Sequence, residues 1–219
     1  MKIRKYGVLA VITALVSAVI LLAGCTNDPK DVKFITEEQA KEYVSKYLPA
    51  AAFVKKADLS DGVEYTFTDD LCGFEFKVNS STDKKYFDAT VVGYDEKTTH
   101  NWDSAYREYL IGQISGKTDA LAKDNGFEIT KGEGKFLLYI KTDKSCEELT
   151  PILKDIASAV RSEDKHGKIK DNEIWCYNGD TPHVDYLKAV YLFAKDEVVD
   201  KAGYEKLIGK NSPSDDNSK

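Results

Sequence analysis

The sequence is short of most features that would give it an obvious chemistry. It has no excess of positive charge: 31 Lys+Arg stand against 37 Asp+Glu, a formal net charge of −6. A nucleic-acid binder normally carries a basic footprint, so that class is excluded and no nucleic-acid partner is expected. Arginine is almost missing, with only Arg4, Arg107 and Arg161. Of the three histidines, none forms an H-E-x-x-H or His-x3-His pair, and no CxxC, G-x-S-x-G, P-loop or G-x-G-x-x-G motif occurs. No internal repeat and no long Gly/Pro/Ser linker interrupts the chain. Mean hydropathy is −0.43, which excludes a polytopic membrane protein.

One long apolar run is present, at the start. Residues 1–5 carry three positive charges, and Gly7 to Gly24 then run without a charged residue. A cationic segment followed by an apolar one is the pattern of an export signal, with the positive end retained in the cytoplasm. Eighteen uncharged residues sit at the lower margin for spanning a bilayer, so length alone leaves signal peptide and uncleaved anchor both open.

The end of the run separates them. Leu22-Ala23-Gly24-Cys25 resembles the lipobox of bacterial lipoproteins. The resemblance implies that the Cys25 thiol receives a diacylglycerol and that a peptidase cuts before it, the small residues at 23 and 24 letting the extended backbone into that enzyme. It covers residues 1–25 and implies nothing about the fold that follows. It does imply an address: the cell membrane, facing outside the cytoplasm, held by acyl chains such as palmitate on Cys25. Two or more chains give stable anchoring where one gives marginal binding. Loss of residues 1–24, with three basic residues and no acidic one, would leave 195 residues with 28 basic against 37 acidic, a charge of −9. So acidic a chain is repelled by anionic lipid, so the acyl chains carry the membrane contact.

Residues 25–33 read as a polar tether broken by Pro29, residues 34–209 as a single domain, and residues 210–219 as a disordered polar tail. Thr36 with Gln39 fits a capping box, opening a helix with Ala40, Tyr43, Val44, Tyr47 and Leu48 on one stripe and Pro49 near its end. Three β runs follow, over residues 63–68, 73–78 and 86–94, joined through DDLCG and NSSTDKK as turns; a weaker strand at 52–57 precedes them. A long helix is expected from about Trp102 to Asp124, C-capped by Asn125-Gly126. Gly112 and Gly116 lie four apart on it and could admit a close neighbour, although a packing accident is the commoner explanation. A hairpin at 127–130 and 135–142 comes next. Ser145 and Glu148 form a second capping box, but Pro151 would sit deep in that helix; Thr150 as N-cap with Pro151 at the first position is the alternative start. Residues 165–171 read as a charged loop, 173–177 as a strand, 187–195 as a strand in preference to a helix, and 202–208 as a closing helix. Segregated strands and helices specify an α+β domain: a largely antiparallel sheet with helices packed on one face.

With Cys25 committed to lipid, Cys72, Cys146 and Cys176 remain, and unpaired thiols are favoured over one bridge plus a leftover. A zinc site from these with His183 lacks any close ligand pair. His100, His166 and His183 each have an acidic neighbour in sequence (Asp103, Asp164, Asp185), as expected of surface histidines in an acidic chain. Asp58, Asp61, Asp69 and Asp70 lack the spacing of a calcium loop and read as solvated turn acids. The many tyrosines suit a half-exposed sheet and, secondarily, a binding platform. No catalytic residue, metal ligand or cofactor is assigned. The leading expectation is a membrane-anchored, non-enzymatic binder of a protein or cell-envelope ligand. An anchored hydrolase of envelope polymers is the alternative, and a solute-binding receptor ranks last.

Overall fold

A computed structural model describes residues 28–209. The lipobox residues Leu22, Ala23, Gly24 and Cys25, the preceding apolar run and the tail at 210–219 lie outside the described residues. The fold is α+β, with four helices and two sheets built almost wholly from antiparallel pairs. The chain forms two compact units that divide after Trp102.

Among the described residues the first unit contains one α-helix, α1 (Glu37–Ser45), and four strands, β1 (Ala52–Leu59), β2 (Gly62–Thr68), β3 (Glu75–Phe87) and β4 (Thr90–His100). The strands form an antiparallel meander in chain order. The capping box closes as its sequence specifies: Gln39 N–H donates to Thr36 Oγ1 at 3.3 Å and Thr36 N–H to Gln39 Oε1 at 2.8 Å. Two orphan amides are thereby satisfied, and α1 buries Ala40 and Val44 while Tyr47 stays exposed. Period-2 alternation buries Phe76, Val78 and Ser80 on one face of β3, with Tyr65 and Phe67 of β2 beside them. Tyr65 OH donates to the Ile35 carbonyl at 2.5 Å and Ile35 N–H to Ser80 Oγ at 3.2 Å, fixing the entry of the chain across the sheet. Residues 29–31, inside the segment read as a tether, form a 3-10 turn capped by Asp28.

The sequence reading needs two corrections in this unit. Residues 86–94 are not one strand: they straddle the reversal, with 86–87 ending β3 and 90–94 opening β4. NSSTDKK is not a turn; Asn79 to Lys85 continue β3, and the reversal comes later, at Asp88-Ala89. Both residues have positive φ, 46° and 60°, as a two-residue primed hairpin loop requires. The physical reason is that, past the polar Asn79–Ser81, which still pair with β2 and bury Ser80, the stretch Thr82–Lys85 is a ribbon with no buried side chain. It needs no apolar alternation, and its polarity imitates a turn. The ribbon is held by the pairs Lys85–Asp95 at 2.5 Å and Lys97–Asp83 at 3.8 Å.

The second unit holds α2 (Trp102–Asn125), whose first residue lies at the division, then β5 (Glu128–Lys131), β6 (Phe136–Lys141), α3 (Cys146–Glu163), β7 (Glu173–Tyr177), β8 (Leu187–Leu192), β9 (Glu197–Val199) and α4 (Lys201–Gly209). The sheet order is β5-β6-β7-β8-β9. All pairs are antiparallel except β6 with β7, which run parallel and are joined through α3. A parallel pair demands such a crossover, because a short turn cannot carry the chain back to the same end. Residues 187–192 are strand, as favoured. The strand β9 has no separate signal in the sequence.

Helix α3 starts at Cys146 and is capped by Ser145, so the alternative start at Thr150 is not used. Pro151 lacks the N–H that would serve the Glu147 carbonyl, but Glu147 and the proline are both exposed, so that carbonyl faces water at little cost. The stripe Leu149, Leu153, Ile156, Ala157 and Val160 is fully buried. Helix α2 ends in a Schellman turn, with Gly126 left-handed and Phe127 N–H donating to the Ala122 carbonyl at 2.9 Å. Lys117 bridges α2 to α3 through Asp155 at 2.6 Å. A Cβ added at Gly112 or Gly116 would meet nothing within 4 Å, so neither admits a close neighbour.

Candidate functional site

In the second unit an open groove of about 410 Å³ lies at the carboxyl ends of the parallel strands. Its wall takes Lys141, Thr142, Asp143 and Lys144 from the β6–α3 connection, Asn178 from the end of β7, and Asn125, Gly126 and Glu128 from the α2–β5 turn. In open sheets the space outside the carboxyl ends of parallel strands is where ligands are habitually held, because loops rather than strands shape it. The local chain is firmly built. Thr142 N–H donates to the Tyr177 carbonyl at 2.9 Å, continuing the β6–β7 pairing by one residue. Lys144 N–H donates to Thr142 Oγ1 at 3.1 Å, and Asn178 Nδ2 donates to Asp143 Oδ1. Asn178 N–H donates to the Tyr186 carbonyl at 2.9 Å. The groove offers two amides, two ammonium groups, two carboxylates and a hydroxyl. Its lining contains no histidine and no cysteine, so it presents hydrogen-bonding and charged groups but no nucleophile beside an imidazole base.

In the first unit a shallower groove of about 440 Å³ runs between the entering segment and the ribbon, lined by Pro29, Lys30, Val32 and Phe34 on one side and Thr82, Lys84 and Tyr94 on the other. Beyond it the ribbon leaves the sheet. β2 pairs with β3 only as far as Ser81, so Thr82–Phe87 and Thr90–Glu96 pair with each other alone. At ~3.3 Å per residue this arm is about 20 Å long. Its outer end exposes Tyr86 (63%) and Val91 (39%), which face each other across the ladder.

Several of the residues singled out from sequence serve the fold. His183 Nδ1 accepts from Asp185 N–H at 3.2 Å and caps a 3-10 turn over 184–186. His166 lies edge-on to the Tyr106 ring, 5.0 Å between centroids. Asp164, its sequence neighbour, instead accepts from Tyr106 OH at 2.6 Å and from the amides of Lys168 and Ile169, each at 3.0 Å, and so organises the 165–171 loop. His100 packs beside Tyr43 and Tyr47. Asp69 is not a solvated turn acid. It is buried and accepts from Leu71 N–H, Cys72 N–H and Trp102 Nε1 at 3.1, 2.9 and 3.3 Å, because the left-handed turn at Gly73 folds the chain over it. Cys146 and Cys176 are free thiols, and burial pushes Cys176 far above the ordinary thiol range.

A polar cluster went unnoticed in the sequence. Glu173 accepts from Lys135 Nζ at 2.6 Å, Trp175 Nε1 at 2.9 Å and Tyr204 OH at 3.0 Å; Tyr204 also accepts from Lys135 at 3.1 Å. Desolvation works to lower the Lys135 pKa, but its hydrogen bonds to Glu173 and Tyr204 and the Glu173 charge outweigh it and hold the ammonium above its usual range. Every polar atom is engaged, and Trp175 and Tyr204 are buried in a cluster with Leu187, Val190 and Leu192. This is a network that pins α4 to the sheet.

No family model, curated protein or solved structure matches the chain. Among the described residues no helix is long and apolar enough to cross a membrane.

Proposed function

We propose that the chain is a lipoprotein anchored to the cell membrane through Cys25, facing outside the cytoplasm, which binds a cell-envelope or protein ligand without transforming it. The anchoring rests on Leu22-Ala23-Gly24-Cys25 at the end of the uncharged run. The binding reading is carried by the groove at the carboxyl ends of β6 and β7. Its amides, ammonium groups and carboxylates suit a polar ligand rich in hydroxyl or amide groups, and its wall is braced by Thr142, Asp143 and Asn178. A braced wall costs little ordering on binding, which favours affinity.

The test has two arms. Cys25→Ala should abolish acyl labelling and leave an unprocessed precursor; unchanged labelling and mobility would remove the anchor. Purified envelope polymer should co-sediment with the intact protein, and Asn178→Ala should weaken that binding ~5–30-fold, the worth of one or two lost hydrogen bonds. Co-sedimentation that ignores Asn178→Ala and Asp143→Ala alike would move the ligand elsewhere.

A further inference from the structure

We propose that the tip of the β3–β4 ribbon is a second membrane contact, seated at the headgroup level of the same bilayer that holds Cys25. The inference rests on the lipoprotein reading above and adds an orientation to it.

The first argument is reach. Only Thr26 and Asn27 separate Cys25 from Asp28, so even a fully extended chain keeps Asp28 within ~11 Å of an acylated Cys25. The segment then turns at residues 29–31, and Pro29, Lys30, Val32 and Phe34 run along the arm beside Thr82, Lys84 and Tyr94. From Lys84 and Tyr94 the reversal at Asp88-Ala89 is only four to five residues further, ~15 Å. The anchor and the arm's outer half are therefore tied together by a short stretch of chain.

The second argument is chemistry. Residues 84–94 (KKYFDATVVGY) carry Lys84 and Lys85 against Asp88, a net charge of +1 in a chain whose net charge is −6. Over the whole arm, residues 82–96, Asp83, Asp88, Asp95 and Glu96 outnumber the two lysines and Lys85 pairs with Asp95, so charge gives the arm no net attraction to an anionic surface and the contact rests on the exposed side chains of its tip. Tyr86 and Val91 are exposed and opposed at its end. A tyrosine flanked by lysines, next to aliphatic residues, matches the interface layer of a bilayer, where the ring's body is apolar and its hydroxyl wet. The loop itself holds Ala89 at a φ of 60°, a conformation that costs a non-glycine residue energy, on a two-stranded arm that gains no support from the rest of the sheet. A surface that receives the tip would offset that cost.

The experiment uses the full acylated protein in phosphatidylcholine–phosphatidylglycerol vesicles carrying brominated lipid. Tryptophan reporters are placed at the tip (Tyr86→Trp and, independently, Val91→Trp) and at the far end (Tyr47→Trp), and each is read as a difference from the parent. Tyr47 is beside His100, which is nine residues, ~30 Å, along β4 from Val91. Both tip reporters should shift to the blue and lose more than half their emission to bromine, while Tyr47→Trp is unchanged. Protein that floats with the vesicles but shows no quenching at 86 and 91 would overturn the proposal; this is the outcome expected if the tip meets a protein partner. Equal quenching at 47 would overturn it too, since the contact would not be the tip's. Protein that fails to float, with Cys25 unmodified by mass, would sink the lipoprotein reading and this proposal with it.

Discussion

Glu173→Ala tests whether the Lys135–Glu173–Trp175–Tyr204 network holds the second unit together. The carboxylate side chain is 12% exposed and is the acceptor recorded for both Trp175 Nε1 and the Tyr204 hydroxyl proton. Truncation leaves those two buried donors without that acceptor, at ~1–3 kcal/mol each, so ~2–6 kcal/mol in all. That is a large part of the ~5–15 kcal/mol that a domain has. Lys135→Met should cost far less, ~1 kcal/mol or under. The lysine is half exposed, so its ion pair is worth little after solvent screening, and Glu173 keeps its two neutral donors. Urea unfolding followed by tryptophan emission reads both variants, Trp175 lying inside the network. The ordering is the critical result. A Lys135→Met variant as damaged as Glu173→Ala would show that the charge pair, not acceptor satisfaction, is what matters. A Glu173→Ala loss below ~1 kcal/mol would show that water replaces the carboxylate at no cost, and would refute the argument.

Other perturbations test other parts of the chain. Gly112→Ala and Gly116→Ala, in open space on α2, should each raise stability by ~0.5–1 kcal/mol in thermal unfolding. Gly132→Ala should lower it by more than ~1 kcal/mol, because the new Cβ would come 2.4 Å from the Phe136 carbonyl oxygen in the β5–β6 turn. Tyr191 is 1% exposed, and burial, with a hydrogen bond to Asp196, pushes its phenol up to about 12. The folded state therefore resists ionisation that the unfolded chain accepts, and stability should fall as pH rises from ~10 towards 12, by up to roughly 2 kcal/mol. Tyr191→Phe should flatten that alkaline slope in urea melts. Cys176, buried and with a raised pKa, should resist alkylation by iodoacetamide until the protein is unfolded, as peptide mass mapping would show.

Local rules read well from this sequence because they depend on near neighbours. Both capping boxes, the Gly126 cap, the β7 strand and the burial stripe of α3 follow from residues within a few positions of one another. Where the polar pattern had two physical meanings the reading failed. A run such as Thr82-Asp83-Lys84-Lys85 is what a turn looks like, and also what a ribbon with no buried side chain looks like, since neither needs an apolar face. The hairpin loop that does occur, Asp88-Ala89, lacks the glycine or asparagine that would have announced it.

The groove was invisible for a different reason. Its wall joins residues 125–128, 141–144 and 178, which share nothing in sequence but position at element ends. What assembles them is the parallel pairing of β6 with β7, and that pairing has no local signal. A strand of the type Phe136–Lys141 followed by a capped amphipathic helix and the strand Glu173–Tyr177 is compatible with either direction. Length decides it physically: the connection from Lys141 to Glu173 contains an eighteen-residue helix, which carries the chain back along the sheet to start β7 at the same end as β6. Once the two strands point the same way, their carboxyl ends and the loops that leave them must lie together. The capping residue Ser145 then matters twice. It fixes where α3 begins, and so fixes the length of the Thr142–Lys144 turn that forms one side of the groove. A slip of the helix start to Thr150 as N-cap, the other start compatible with the sequence, would unravel five residues into that turn and erase its wall.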